Sequence, residues 1–137
     1  KAKLTRQLKK HEGLRLESYK DSVGVLTIGY GKNLNYLEIT KHQANRWLSQ
    51  DIDEVVDTIF GFKHEVMENI NPARQRVLIN MTFNLGIDGM LRFKKMWKAL
   101  ESRDYNEASK QMLDSKWAIQ VGKRANELAE TMRAGRD

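Results

Sequence analysis

Three polar residues near the start of the chain have the types and the spacing that acid/base hydrolysis requires. Glu12 directly precedes a glycine, and Asp21 and Thr27 follow in the next stretch of the chain. Hydrolysis of a glycosidic bond uses one protonated carboxyl group, which protonates the leaving oxygen, and one ionised carboxylate, which activates water or stabilises charge. If a tight chain reversal brings the two carboxyl groups together, these three residues form a candidate catalytic set.

The predicted first helix sets the environment of Glu12. Residues 3–12 read as a helix with Leu4 and Leu8 on the side of Glu12, and Gly13 is predicted to end it in the left-handed conformation. A helix C-terminus disfavours an anion by about 0.3–1 kcal/mol, and burial disfavours it further, so both would favour the protonated form that a general acid needs. The alternative is an ordinary helix-end glutamate that turns to solvent.

The apolar period changes to two over residues 14–30, which predicts a β-hairpin with a turn around Asp21. Thr27 is predicted to face away from the apolar side of its strand, beside that turn. Gly29 and Gly31 leave room for a ligand or another backbone segment to approach. Taken singly, Asp21 could be an ordinary turn aspartate and Thr27 an ordinary strand threonine.

A long helix is predicted over residues 40–60, opened by a capping box of Thr40 and Gln43 and ended by Gly61. At about 1.5 Å per residue it is a rod of roughly 30 Å, long enough to join two lobes.

The remainder of the chain is predicted to be helical. Asn71 is a good N-cap, Pro72 suits the first helical position, and the apolar stripe that follows is ended by Gly86. Further helices are predicted over residues 62–69, 89–101, 105–114 and 123–134, with a short turn over 117–120. Methionine and aromatic residues in this part are predicted to be core.

Composition limits the classes of protein that the chain can belong to. The 137 residues are 40 % apolar, which suits one domain with a core. No apolar run approaches the roughly 18–20 residues that a bilayer-spanning helix needs, and no signal peptide is visible. The chain lacks cysteine, and its three histidines have no metal-ligand spacing, so neither thiolate chemistry nor a metal or other cofactor is expected.

The formal net charge of +6 admits two interpretations. It could serve an anionic partner, such as nucleic acid, a membrane surface or an acidic wall polymer. Alternatively, because basic residues are mostly interleaved with acidic ones, it could reflect ordinary solvated helix faces.

The segment HEGLRLESYKDSVGVLTIGYG, with Glu12, Asp21 and Thr27 in this spacing, resembles the catalytic segment of the phage T4-type lysozymes, glycoside hydrolase family 24. The likeness continues along nearly the whole chain. ITKHQANRWLSQDID resembles the start of that family's inter-lobe helix, RQRVLINMTFNLG its buried central helix, and FKKMWKALESRDYNEASKQMLDSKWAIQVGKRANEL its C-terminal helices.

The resemblance implies an α+β, mostly helical fold: a lysozyme-like two-lobe arrangement within a single domain, 1–137. A small lobe with a three-stranded antiparallel sheet would cover about 13–39. An inter-lobe helix over about 40–60 would join it to a larger helical lobe made of 1–12 and 61–137.

The activity that the resemblance implies is that of an endolysin. Such a muramidase hydrolyses the β-1,4 bond between N-acetylmuramic acid and N-acetylglucosamine in bacterial peptidoglycan. Glu12 would be the general acid, Asp21 the general base or electrostatic partner, and Thr27 would position water. The family is described as inverting, which requires carboxyl groups roughly 6.5–9.5 Å apart.

The resemblance also implies a substrate cleft. Gly31 and Asn33 match its hairpin side, Phe83 and Asn84 match positions that line it, and Arg124 matches an arginine whose charge lies near the catalytic glutamate. Such a cation would lower the pKa of that glutamate, against the helix-end effect. A monomer made in the host cytoplasm and acting on the wall in the periplasm is expected, without nucleic acid and without stable membrane insertion.

Two other functions remain open on the sequence. A lytic transglycosylase cuts the same bond with one catalytic acid and leaves an anhydro-sugar end, and the presence of Asp21 argues against it. A basic helical nucleic-acid-binding module is compatible with the charge, although no helix-turn-helix or basic-aromatic stripe is convincing.

Overall fold

The structure is a computed structural model, and it describes residues 1–13, 15–20, 26–29 and 40–137. In chain order the elements are α1 (Ala2–Glu12), β1 (Arg15–Lys20), β2 (Leu26–Gly29), α2 (Lys41–Phe62), α3 (His64–Asn69), α4 (Pro72–Leu91), α5 (Lys94–Glu101), α6 (Tyr105–Leu113), α7 (Lys116–Val121) and α8 (Lys123–Ala134). The described chain is mostly helical, as predicted. It forms two compact units, Lys1–Glu54 and Val55–Asp137, and the boundary between them falls inside α2.

Helix α1 forms where its apolar period predicts it, one residue longer at the start than expected. Leu4 and Leu8, one turn apart, are its buried residues, and Gly13 follows its last residue. Gly13 has the predicted positive φ of 71°, but its ψ of 158° lies outside the left-handed helical region, so the predicted cap conformation was wrong in ψ. The amide of Gly13 still donates to the carbonyl of Lys9, at 2.9 Å, and closes the helix end.

Strands β1 and β2 pair antiparallel, as the change to a two-residue period predicts. Tyr19 pairs with Thr27 and Lys20 with Leu26, and the register is irregular between Arg15 and Tyr19. The described ranges contain this two-stranded ladder and no third strand, so the predicted three-stranded sheet lobe is not seen in them.

Helix α2 begins at the predicted cap: the hydroxyl of Thr40 accepts from the amide of Gln43 at 3.1 Å. It runs through Gly61 and ends at Phe62, so Gly61 does not end the helix as predicted. Gly61 is exposed and keeps a helical backbone, and no atom lies within 4 Å of where its Cβ would be. The missing side chain therefore leaves no cavity, and the helix can continue through this residue. Within the first unit, the Nζ of Lys1 lies 2.9 Å from the Oδ1 of Asp53.

Helix α4 starts as predicted, with Asn71 as the N-cap and Pro72 next. The Oδ1 of Asn71 accepts from the amide of Arg74 at 2.9 Å. Gly86 breaks the helical geometry, with φ 76° and ψ 164°, but helical structure resumes and continues to Leu91. The predicted stop is therefore a kink, because glycine adopts this backbone conformation without a Cβ clash.

Two other predicted boundaries were wrong. The helix expected over residues 89–101 is divided, because α4 ends at Leu91 and α5 begins at Lys94. The short turn expected over residues 117–120 is helix α7, whose N-cap Ser115 accepts from the amide of Ala118 through its side chain. Helix α8 has the predicted bounds.

Methionine dominates the core of the second unit. The methionines of α3, α4, α5, α6 and α8 are all fully buried, and Trp97 and Trp117 are 3 % exposed. The buried methionines are Met67, Met81, Met90, Met96, Met112 and Met132. The predicted core role is confirmed for the methionines and these two tryptophans, whereas the aromatic residues Phe83, Phe93 and Tyr105 are only half-buried. Unbranched, polarizable methionine fills irregular gaps between short helices well.

Arg74 closes the C-terminal end of α8. Its guanidinium lies 3.6 Å from the ring centre of Tyr105 and donates to the carbonyls of Met132, at 2.7 Å, and Arg133, at 3.1 Å. Gly135 follows the helix in the left-handed conformation, with φ 74° and ψ 20°. A positive residue at the unsatisfied carbonyls of a helix end stabilises that end.

Gly135→Ala should lower the free energy of unfolding by about 1–2 kcal/mol. An added Cβ would meet the Nη1 of Arg74 at 2.8 Å, and alanine disfavours the φ of 74°. Gly61→Ala is the matched control: its Cβ would meet no atom within 4 Å, so it should stabilise by up to about 0.5–1 kcal/mol. Urea unfolding followed by circular dichroism measures both, and equal effects in the two variants would contradict the assignment.

Candidate functional site

Glu12 is the last residue of α1, and its side chain is half-buried. Lys9, Lys10 and His11 precede it in the same turn. Basic residues there complement the negative end of the helix dipole. The helix-end position predicted for Glu12 is therefore confirmed, and the turn that carries it is strongly charged.

The backbone of Thr27 lies on β2, opposite Tyr19 on β1. Paired Cα atoms of an antiparallel ladder are about 4.5–5.5 Å apart. Asp21 is the next residue of the chain after Lys20, which pairs with Leu26. Asp21, like Gly31 and Asn33, lies outside the described residues, so its distance from the carboxyl group of Glu12 stays a prediction.

Asn84 and Phe83 lie on α4, just before its kink. The Oδ1 of Asn84 accepts from the indole Nε1 of Trp117 at 2.8 Å, which fixes the orientation of the amide. The two N–H donors of Asn84 are then turned away from the indole and are suited to an acceptor on a ligand. Phe83 is half-buried beside it in sequence.

Arg124 is a buried cation on α8, only 7 % exposed. Its Nε and Nη2 both donate to the Oδ1 of Asn80, at 3.1 and 2.9 Å, and Asn80 is fully buried. A buried guanidinium is stable only when its donors are satisfied, so this amide oxygen is part of what allows the charge to be there.

Asn80 and Trp117 are polar partners of the site that the sequence prediction missed. The available signal for Asn80 was one amide within the apolar run Val77–Met81. Such a residue, placed in phase with a buried stripe, needs a hydrogen-bond partner. The indole of Trp117 gave no comparable signal, because a buried tryptophan is ordinarily a core residue.

Within the described ranges, no group of His, Cys, Asp and Glu side chains could hold a metal ion. None of the described helices combines the length and the apolar character needed to cross a bilayer.

The sequence model of the phage lysozyme family matches residues 9–134, and the chain belongs to this family. The matched range contains the candidate catalytic residues as well as Asn84 and Arg124. Membership makes the chain a peptidoglycan-lysing hydrolase of the glycosidase type.

Individual relatives come from an amoeba and from phages. The chain is 26 % identical over 156 residues to the probable T4-type lysozyme 1 of Dictyostelium discoideum, covering 93 % of this chain and 92 % of the relative. It is 30 % identical over 114 residues to an endolysin of Acyrthosiphon pisum secondary endosymbiont phage 1, covering 81 % and 74 %. It is also 26 % identical over 159 residues to the pre-baseplate central spike protein Gp5 of Enterobacteria phage T4, covering 96 % of this chain and 28 % of Gp5.

The bond between Asn80 and Arg124 should appear as a coupling free energy of about 1.5–3 kcal/mol, since hydrogen bonds to charged groups have this magnitude. Asn80→Ala, Arg124→Met and the double variant would be unfolded in urea. The double variant should lose less stability than the two single losses combined, because each single variant already removes the bond. Asn80→Ala combined with Glu65→Ala, an exposed site on α3, should be additive within about 0.5 kcal/mol. Additivity in the Asn80 and Arg124 cycle would contradict the interpretation.

Proposed function

We propose that the chain is an inverting N-acetylmuramidase, an endolysin that hydrolyses the β-1,4 bond between N-acetylmuramic acid and N-acetylglucosamine. The observation that carries this proposal is the family match over residues 9–134, which includes a glutamate at the end of α1 and a threonine on β2 in the spacing of the catalytic segment.

In the proposed reaction, the protonated carboxyl group of Glu12 gives its proton to the glycosidic oxygen as the bond to the anomeric carbon breaks. A water molecule attacks that carbon from the opposite face, and the carboxylate of Asp21 takes a proton from the water. The hydroxyl of Thr27 holds the water. The products are a reducing N-acetylmuramic acid end and a free hydroxyl on N-acetylglucosamine, so atoms and charge balance.

Substrate binding is proposed for the remaining predicted residues. The amide donors of Asn84, held by the indole of Trp117, suit an acceptor oxygen on the glycan. Gly31, Asn33 and Phe83 would line the same surface.

Arg124 would supply a fixed positive charge, since Asn80 holds its guanidinium. Its proposed role near the catalytic glutamate rests on the family resemblance.

The proposed setting is that of the endolysin relative. The chain would be made in the host cytoplasm, act as a monomer on the wall in the periplasm, and need no cofactor. Peptidoglycan is the proposed partner, and nucleic acid is not.

Glu12→Gln and Asp21→Asn should each lower sugar release from purified Gram-negative peptidoglycan by at least about 10²–10⁴-fold, the usual contribution of general acid/base catalysis. Glu65→Gln, the same chemical change at an exposed position of α3, is the control and should retain the wild-type rate. Mass analysis identifies the product ends, and proton NMR identifies the anomer formed first.

Reducing ends formed first as the α-anomer are expected from wild type. Anhydro-sugar ends would instead indicate a transglycosylase, and full activity of Glu12→Gln would remove that residue from the mechanism.

Thr27→Ala should lower the turnover number by about 10²-fold, because a misplaced water loses near-attack geometry. Thr27→Ser keeps the hydroxyl group and should retain most of the activity. Steady-state measurements on a defined muropeptide would place the loss in kcat rather than KM. Equal losses in the alanine and serine variants would mean that the hydroxyl does not position water.

A further inference from the structure

The second unit carries a cavity of about 480 Å³ at the C-terminal end of α2. Its walls come from the end of α2, from α3, and from the end of α5 with the turn that follows it. No candidate site residue that the structure describes is among its lining residues. Sites for small ligands have volumes of about 300–1,000 Å³, so the cavity is large enough to hold a ligand of its own.

An aromatic side chain borders this cavity and faces solvent. Phe62 is the last residue of α2 and is 60 % exposed. Val66 and Leu100, which are almost fully buried, contribute the other large apolar side chains of the lining. An exposed aromatic ring beside a buried apolar lining offers a flat apolar face to a ligand.

Polar side chains without partners lie at the same cavity. Asn69 and Arg103 both line it, and both are exposed. Neither side chain makes a hydrogen bond or an ion pair within the part of the chain that the structure describes. An amide supplies two donors and one acceptor oxygen, and a guanidinium supplies about five donors. These groups suit a ligand that is rich in hydroxyl and carbonyl oxygens.

The turn after α5 does not require the side chain of Arg103. This residue has a φ of 60°, and its amide donates to the carbonyl of Leu100 at 3.1 Å. The amide of Asp104 donates to the carbonyl of Ala99 at 2.8 Å. These are the two hydrogen bonds of a Schellman helix ending, in which glycine usually occupies the position of Arg103. Because glycine would serve the turn as well, the guanidinium is available to a ligand.

The charges around the cavity cancel. Lys63 and Arg103 contribute two positive charges, and Glu65 and Glu101 contribute two negative charges. His64, which also lines the cavity, is counted as neutral at pH 7. A balanced surface gives a polyanion or a polycation little long-range attraction. The lining therefore favours an uncharged ligand, which needs no charge from either carboxylate.

We propose that this cavity is a second carbohydrate site, separate from the candidate site, that binds uncharged N-acetylated amino-sugar residues of a glycan strand. The ring of Phe62 would lie against the apolar face of a sugar ring. Asn69 and Arg103 would donate to its hydroxyl and acetamido oxygens. An apolar surface with a few placed polar groups is the usual composition of a ligand site. The choice of this sugar rests on the proposed function, whereas the cavity itself does not.

Titration of the full chain with the tetramer of N-acetylglucosamine, followed by ¹⁵N–¹H NMR, tests the proposal. In wild type the backbone amides of residues 62–69 and 100–103 should shift and saturate. Phe62→Leu keeps an apolar side chain without an aromatic face and should weaken binding about three- to tenfold, the size of an aromatic contact. Phe62→Tyr keeps the ring and should retain the wild-type affinity.

Arg103→Gly should weaken binding about tenfold, because it removes hydrogen bonds from a charged donor. Its urea midpoint should not fall, since glycine suits the φ of 60°. The matched control is Arg136→Gly, which removes the same side chain from an exposed position that does not line the cavity. This control should leave the affinity unchanged.

The absence of saturable shifts at the cavity in wild type would overturn the proposal, as would equal affinities of wild type and Arg103→Gly. Unchanged affinity of Phe62→Leu would overturn the carbohydrate assignment, because any apolar group would then suffice. Shifts confined to Asn84 and Trp117 would overturn this site and support the candidate site. Shifts at the cavity without sugar release from peptidoglycan would support this site and count against the proposed function, so the two failures are distinguishable.

Discussion

The second unit depends on a series of polar contacts that fixes α4 against the end of the chain. Four residues of α4 and its cap each hydrogen-bond to a later element. In chain order the pairs are Asn71 with Gly135, Arg74 with Met132, Asn80 with Arg124, and Asn84 with Trp117. As the first number of each pair rises the second falls, so α4 runs antiparallel to α8. The pair of Asn80 and Arg124 is the most constrained, because a buried guanidinium without its acceptor costs several kcal/mol.

The last pair of this series, Asn84 with Trp117, connects these contacts to the candidate site. Asn84 lies two residues before Gly86, where α4 leaves helical geometry. Four residues separate Asn84 from Asn80, which is about one helical turn, so the two amides lie on the same face of α4. Any change that rotates α4 away from Arg124 would therefore also move the donors of Asn84. Packing and the proposed substrate contact are therefore linked through one helix.

The sequence predicted those parts of the fold that are determined by local chemistry. The cap at Thr40, the start of α4 at Asn71 and the end of α8 at Gly135 each depend on one side chain or one positive φ within a few residues. The break between α4 and α5 was not predicted, because the two residues between these helices, Arg92 and Phe93, are neither proline nor glycine. The position of this break is decided by tertiary packing. At the site, the position of Glu12 followed from helix periodicity. The contact of Asn80 with Arg124 spans 44 residues of sequence, and no local pattern specifies such a pairing.

Trp117 joins the packing of the second unit to the candidate site. Its ring is 3 % exposed and packs edge-on against Phe93, with ring centres 6.3 Å apart. Its indole Nε1 donates to the Oδ1 of Asn84 at 2.8 Å. Because a buried indole N–H needs an acceptor, the packing of this ring also fixes the direction of the Asn84 amide. The orientation of a proposed substrate-binding group therefore depends on a core side chain 33 residues later in the sequence, which no local pattern around Asn84 specifies.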